Sequence, residues 1–362
     1  MFKTAFIKAA TMSWQWRKLF DTVHANNVEL LDAMLNADGW PMDTSCTDFE
    51  LLILATKLGR KKIVHYLLDK NCRVYFGSGH NTPLHYAVRH RNWNDVIERL
   101  LAKGLRMSDT NRSGKTALHV AFKLNVGGEQ IDYLMQHYLN NTENNIVSND
   151  GLSTLHIACS RPNAQIVERL ILSDYRLIDQ AVDVTMRTPL HYAVGARRHQ
   201  VVSILLYYGA NICKQDSEGS TPLHWALWVR DVEMINLVLS YDTRQENITN
   251  KFGLSHFMVS CAGSDLKVVK EYIQQIWIRK VITIEEVMKS QISILGSYSG
   301  YTPLHFAVEF GSNIAIVRLL LQHGADCCRN TCYRISPHYL AALKGHKAIY
   351  ELLMLYCCNI RN

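Results

Sequence analysis

No run of about 18 apolar residues occurs anywhere in the 362-residue chain, so no membrane span is expected. No secretory leader is expected either, because Lys8 interrupts the apolar stretch near Met1. Acidic residues are absent before Asp21, while Lys3, Lys8, Arg17 and Lys18 are present. A mitochondrial presequence shares that balance; the simpler expectation is an N-terminal extension over 1–15 that caps the first helices or has no fixed structure. Enzyme signatures are absent as well. There is no phosphate loop, no Gly-x-Ser-x-Gly elbow, no kinase set and no paired metal-ligand helix motif. No catalytic residue, cofactor, metal or small-molecule substrate is therefore expected. Ten cysteines lie scattered through a long chain rather than framing a small secreted domain. A reducing compartment follows, cytoplasmic with nuclear entry left open. Proline is scarce, with seven residues, and four of these stand in one recurring context.

That context is a short motif. It reads Thr82-Pro83-Leu84-His85, Thr116-Ala117-Leu118-His119, Ser153-Thr154-Leu155-His156, Thr188-Pro189-Leu190-His191, Thr221-Pro222-Leu223-His224 and Thr302-Pro303-Leu304-His305. Weaker copies begin at Ser255 and Ser336, and successive starts are 34, 37, 35, 33, 34, 47 and 34 residues apart. A period near 33 sustained in phase marks a repeat array. Thr or Ser suits a helix N-cap, and Pro suits the first helical position, where its missing N–H costs nothing. Leu points inward. Ala follows three residues after Leu, at 87, 121, 158, 193, 226 and 307, where a small side chain lets helices approach closely.

A second helix follows each motif. Its buried stripe reads Val96, Ile97, Leu100, Leu101, then Ile166, Val167, Leu170, Ile171, then Val201, Val202, Leu205, Leu206. Gly104, Gly209 and Gly324 fall where these helices should stop. Each unit is thus helix, turn, helix and looping connection, a pattern that resembles the ankyrin repeat over nearly the whole chain. The resemblance implies an all-α solenoid of stacked helix-turn-helix units with β-hairpin-like loops. About ten units are expected over 16–362, the first two recognised only by helices around Val28, Leu31, Leu35 and around Ile63, Val64, Leu67, Leu68. The long spacing of 47 places an insertion near 274–299, read as a lengthened second helix, an extra helix or a binding insert.

The repeated histidines recur at one structural position, so they would lie along a stack rather than converge on a metal. The resemblance implies that each hydrogen-bonds loop backbone and supports the next repeat. Cys327, Cys328 and Cys332, with Cys357 and Cys358 about one repeat later, match no strong zinc spacing; free thiols are the expectation.

The net charge is +7. Much of the excess falls in the turn between the two helices: Lys57, Arg60, Lys61 and Lys62, then Arg89, His90 and Arg91, Lys123, Arg161, Arg197, Arg198 and His199, Arg230, Lys344 and Lys347, with Asp231 and Glu309 as exceptions. Equivalent positions of stacked repeats align, so a positive edge is expected. It would suit another protein with an acidic or phosphorylated segment, and less well nucleic acid or anionic lipid. The resemblance also implies binding through the first-helix face and loop tips, here Arg89, His90, Arg112, Lys115, Glu218, Trp228, Tyr298 and Tyr301. Of the pair on one helix, Trp225 is read as packing and Trp228 as the interface anchor. The function expected is a protein-interaction scaffold or adaptor. The alternatives are a nucleic-acid or anionic-lipid binder using the basic edge, or a non-catalytic subunit of a ligase or signalling complex.

Overall fold

The computed structural model describes residues 17–36, 47–75, 81–124, 126–139, 147–181, 184–241, 248–262, 265–278, 298, 300–311 and 313–360. The expected extension over 1–15 and most of the insertion, 279–297 and 299, lie outside them. The described residues are all-α, and the chain forms two compact units, Met1–Ile157 and Ala158–Asn362.

In the first unit, helix α1 covers 17–25. It is followed by α2 (Val28–Leu35), α3 (Thr47–Lys57), α4 (Lys61–Asp69), α5 (Pro83–Ala87), α6 (Asn94–Ala102), α7 (Ala117–Leu124), α8 (Gly128–Leu139) and α9 (Thr154–Cys159), whose last two residues begin the second unit. The helices form two layers. Helices α3, α5 and α7 pack in succession as one, and α2, α4 and α6 as the other.

The second unit repeats the scheme with α10 (Ala164–Ser173), α11 (Pro189–Gly195), α12 (His199–Tyr207), α13 (Pro222–Val229), α14 (Val232–Tyr241), α15 (His256–Ala262), α16 (Leu266–Ile278), α17 (Pro303–Glu309), α18 (Ile314–Gln322), α19 (Pro337–Leu343) and α20 (Lys347–Ile360). Helices α11, α13, α15, α17 and α19 pack in chain order, as do α10, α12, α14, α16, α18 and α20. The insertion does not interrupt the inner layer, since α15 packs directly on α17. Its described part ends a 13-residue α16, longer than the 9- and 10-residue α12 and α14.

The core follows from the sequence period. Ala87, Ala121, Ala158, Ala193, Ala226 and Ala307 are buried, which lets successive inner helices approach. Val96, Ile97 and Leu100 are buried, with Leu101 half-buried at the edge of the stripe. Each fully buried Leu or Ile contributes about 2 kcal/mol through its removal from water.

The loops that carry the helix pairs are short, hairpin-like turns. Each is closed by two backbone bonds: the first residue's N–H donates to the carbonyl four residues on (Asn111 to Lys115, Ser148 to Leu152, Asp216 to Ser220, Asn250 to Leu254 and Thr331 to Ile335, at 2.9–3.0 Å), and its own carbonyl accepts the N–H three residues on, at 2.8–2.9 Å. Single antiparallel bridges join Val147 to Ser153 and Thr249 to Ser255. Neighbouring loops stack. Lys251 N–H donates to Glu218 O at 2.8 Å, and a Cβ on Gly219 (φ +76°) would lie 2.8 Å from that same Lys251 nitrogen. Glycine is required there by both the left-handed backbone and the close approach.

Candidate interaction groove

The motif residues form one repeated device. Thr82, Thr116, Ser153, Thr188, Thr221 and Thr302 cap the inner helices, and each lies against the imidazole Nδ1 of the His three residues on, at 2.7–3.0 Å. The backbone N–H of the cap also donates to Nδ1, at 3.1–3.3 Å. Nδ1 is therefore the acceptor and Nε2 carries the proton. Nε2–H then donates across to the following loop. His85 reaches Lys115 O at 2.8 Å, His119 reaches Leu152 O at 3.0 Å, His191 reaches Ser220 O at 3.1 Å, His224 reaches Leu254 O at 3.1 Å and His305 reaches Ile335 O at 3.0 Å. One ring ties a helix start to the next loop. Burial pushes the pKa of His119, His191, His224 and His305 down to about 4, and that of His85 down as well. These imidazoles are neutral ties.

The repeat starting at Ser255 departs from this pattern. Met258 holds the His position, and His256, one residue after the cap, reaches back to Thr221 Oγ1 at 2.8 Å. Its ring lies 3.9 Å from that of His224.

The basic turns have a structural use that their composition alone does not reveal. Helix C-termini leave carbonyls without intrahelical partners, and cationic side chains satisfy them favourably. Arg60 donates to His24 O at 2.6 Å, Arg197 to Val229 O at 2.6 Å and Arg198 to Ser160 O at 3.1 Å. His90, expected as a surface contact, is half-buried and bonds Thr56 O at 2.7 Å, with its ring against Trp93. The acidic exceptions pair across turns: Asp231 with His199 at 3.1 Å and Glu309 with Lys344 at 2.5 Å. Lys115 is half-buried and pairs with Asp150 at 2.9 Å. Arg89, Arg112 and Arg230 are exposed.

Tyr301 requires a correction. It is buried, not exposed, and its hydroxyl donates to Glu309 Oε2 at 3.3 Å. Burial and that carboxylate push its phenol up to about 12. Tyr301 is the residue directly before the cap, a position that is exposed at Asn81 and half-buried at Lys115, Leu152 and Leu254, so burial there differs between repeats.

A groove of about 560 Å³ opens in the second unit, among the loops and inner helices α13, α15 and α17. Trp225, Trp228, Phe252, Tyr298 and Phe310 line it together with Arg187 and Glu218. Its organising residue is Asp216, buried in the loop before α13. Asp216 Oδ1 accepts the N–H groups of Glu218 and Ser220 at 2.9 and 2.8 Å, which shapes the loop tip. Oδ2 accepts the Trp225 indole N–H at 3.0 Å. The Arg187 guanidinium stacks 4.3 Å over the Trp225 ring, with its Nε 3.9 Å from the same carboxylate. One wall is thereby fixed. The rim is open: Trp228 is 71% exposed, and Phe252 and Phe310 are 48% exposed each.

Trp228, Glu218 and Tyr298 thus meet at one place, while Arg89 and Arg112 belong to the first unit. Trp225, read as packing, is half-buried and supplies a groove wall as well. Arg187, Phe252 and Phe310 were not singled out from sequence. Phe252 carried a signal, an aromatic at a loop tip where the preceding unit has Glu218.

Elsewhere in this unit three thiols converge. Cys357 Sγ lies 2.8 Å from Cys327 Sγ and 3.5 Å from Cys328 Sγ, and the two neighbours are 3.9 Å apart. Free thiols were expected at these positions, and the fold gathers three of them. Cys332 is exposed, and the side chain of Cys358 lies outside the described residues. Among the described residues, no helix is long and apolar enough to cross a membrane.

A family model for ankyrin repeats, in three copies, matches residues 19–110, 124–216, 155–251, 233–331 and 256–362. Three relatives illustrate the range of similarity. An ankyrin repeat protein of Fowlpox virus (strain NVSL) is 31% identical over 163 residues, covering 43% of this chain and 46% of the relative. A B-cell lymphoma 3 protein homolog of Mus musculus is 30% identical over 141 residues, 38% of this chain and 31% of the relative. A palmitoyltransferase of Lachancea kluyveri is 27% identical over 164 residues, 44% of this chain and 22% of that enzyme. The matches span less than half the length of each of these relatives. With the family model covering most of the chain, and with capped inner helices, a loop-tying histidine and stacked loops recurring through both units, this protein belongs to the ankyrin-repeat family.

Proposed function

We propose that the protein is a non-catalytic binding scaffold, and that the second unit's groove receives an apolar or aromatic side chain from a segment of a partner protein. Ankyrin repeats are typically protein–protein interaction modules, which supports the general reading. The observation that carries the specific one is the convergence of five aromatic residues on one open groove whose back wall is already fixed by Asp216 and Arg187. Exposed large aromatics beside a preorganised apolar wall are the usual anchors of interfaces, because little side-chain entropy remains to be lost on binding.

The basic turns rank second as a binding surface. Arg60, Arg197 and Arg198 hold neighbouring carbonyls, so pulling them toward an acidic partner would break contacts within the stack. Their positive charge persists and would steer an acidic segment at long range.

The test is affinity capture from native cells, followed by hydrogen-exchange footprinting of the isolated complex. Protection concentrated in 216–228, 250–254 and 304–310 is expected. Protection confined to the turns at 57–62, 89–91 and 197–199, or retention of nucleic acid or anionic lipid alone, would overturn this reading.

A further inference from the structure

The three converging thiols have no role in the groove or in the loop ties. Cys327 follows the glycine-stopped end of α18, at the place held by Met107 and Ile212 in other repeats, both buried apolar residues. Cys357 lies near the end of α20. Cys327 and Cys357 are buried and Cys328 is exposed. Asp326 Oδ1 accepts the Cys328 N–H at 2.8 Å, which pins the turn so that two adjacent side chains face the same point as Cys357. All three sulfurs lie within 4.8 Å of one another. An aliphatic residue would serve the packing at 327 equally well. Packing therefore does not explain why sulfurs from two consecutive repeats meet, or why a third joins them from the solvent side.

We propose that Cys327, Cys328 and Cys357 form a three-thiolate site for a soft monovalent cation, Cu(I). Thiolate ligands select Cu(I) and zinc over harder ions. A closed structural zinc site takes four protein ligands, whereas among the described residues three thiols meet here, a set that suits the thiophilic Cu(I). Binding breaks three S–H bonds, forms three Cu–S bonds and releases three protons to solvent; no electron is transferred. Cys328 provides the solvent-facing side through which the ion arrives. An ion there would clip the last helix to the turn of the preceding repeat, since ligands thirty residues apart would share it.

The experiment uses the full chain, reduced and anaerobic, titrated with Cu(I) against a competing chelator and, in a parallel arm, with Zn(II). One Cu(I) retained per chain is expected, with sulfur-only coordination in X-ray absorption. Cys328→Ser should abolish retention without shifting the melting curve of the metal-free protein, because that residue is exposed. Cys357→Ser should abolish it too, and Cys213→Ser should leave it intact. The proposal is overturned if retention survives Cys328→Ser and Cys357→Ser, if Zn(II) is held in preference to Cu(I), or if the reduced protein takes up no ion.

Discussion

Trp225 donates its indole N–H to the buried carboxylate of Asp216 across 3.0 Å, and this one bond joins the loop tip to the inner helix that walls the groove. In two other repeats the equivalent loop residue is an asparagine, Asn111 or Asn250, whose oxygen makes the same two bonds to the loop backbone. Asp216→Asn should therefore preserve the loop and lose the bond to Trp225. A hydrogen bond to a charged group is worth about 1.5–3 kcal/mol. In a double-mutant cycle of Asp216→Asn with Trp225→Phe, measured by denaturant unfolding, a coupling of that size is expected. Simple additivity would show that the pair does not hold the wall.

The histidine ties set a pH dependence. Their folded pKa values, about 4 for four of them, lie below the ordinary value of 6.5. Between these values the unfolded chain binds more protons than the folded one, so stability rises with pH. It is fully present above 6.5 and falls as the pH drops toward 4, by up to about 3 kcal/mol per tie. Urea midpoints taken from pH 7 to pH 4 should decline steadily, and His191→Gln should flatten part of the decline. A midpoint independent of pH over that range would contradict the neutral-tie account.

The repeat was legible from the sequence because its chemistry is local. Cap, proline, leucine, histidine and alanine act within one helix turn, and each copy restates the pattern. The groove was harder to read. Its residues come from separate repeats, and their convergence depends on which loop tips carry aromatics and which way each side chain points. Trp228 could be singled out by its place after Ala226. Arg187, Phe252 and Phe310 needed the three-dimensional arrangement. Tyr301 was misassigned because its position just before the cap carries no uniform signal: other repeats place Asn81, Lys115, Arg187 and Ser220 there as well as Leu152, Leu254 and Ile335. The basic turns were legible only in part. Charge shows in composition, but the carbonyl that a side chain satisfies does not.

Backbone strain separates two arginines that look alike in sequence. Arg197 and Arg230 both adopt left-handed backbone, φ 57° and 59°, in the helix-to-helix turn where other repeats place Gly59, Gly311 or Gly345. That conformation costs a non-glycine residue about 1 kcal/mol. Arg230→Gly should recover this and raise the melting temperature. Arg197→Gly should gain nothing, because it also loses the bond to Val229 O. Equal stabilisation by both would contradict the carbonyl-capping role of Arg197.

Gly219 tests the loop stack. Alanine there would meet the Lys251 nitrogen at 2.8 Å while holding a strained φ. Gly219→Ala should destabilise by about 1–3 kcal/mol. Since the displaced loop carries Asp216 and Glu218, it should also weaken partner binding, although position 219 itself is buried. Calorimetry of the variant, with binding measured alongside, reads both effects; a variant as stable as the parent would show that the loops are not in close register.

The central claim is that the aromatic groove, rather than the basic turns, carries the binding energy. The most direct measurement is the affinity of the captured partner for the parent protein, for Trp228→Ala and for the Arg197→Glu/Arg198→Glu pair, each at low and high salt. Trp228 is exposed, so its truncation leaves the fold intact. The account predicts that Trp228→Ala weakens binding by at least ~2 kcal/mol, roughly thirtyfold in Kd, with a modest salt dependence throughout. Unchanged affinity in Trp228→Ala, together with a steep loss on adding salt or reversing the arginine charges, would contradict it.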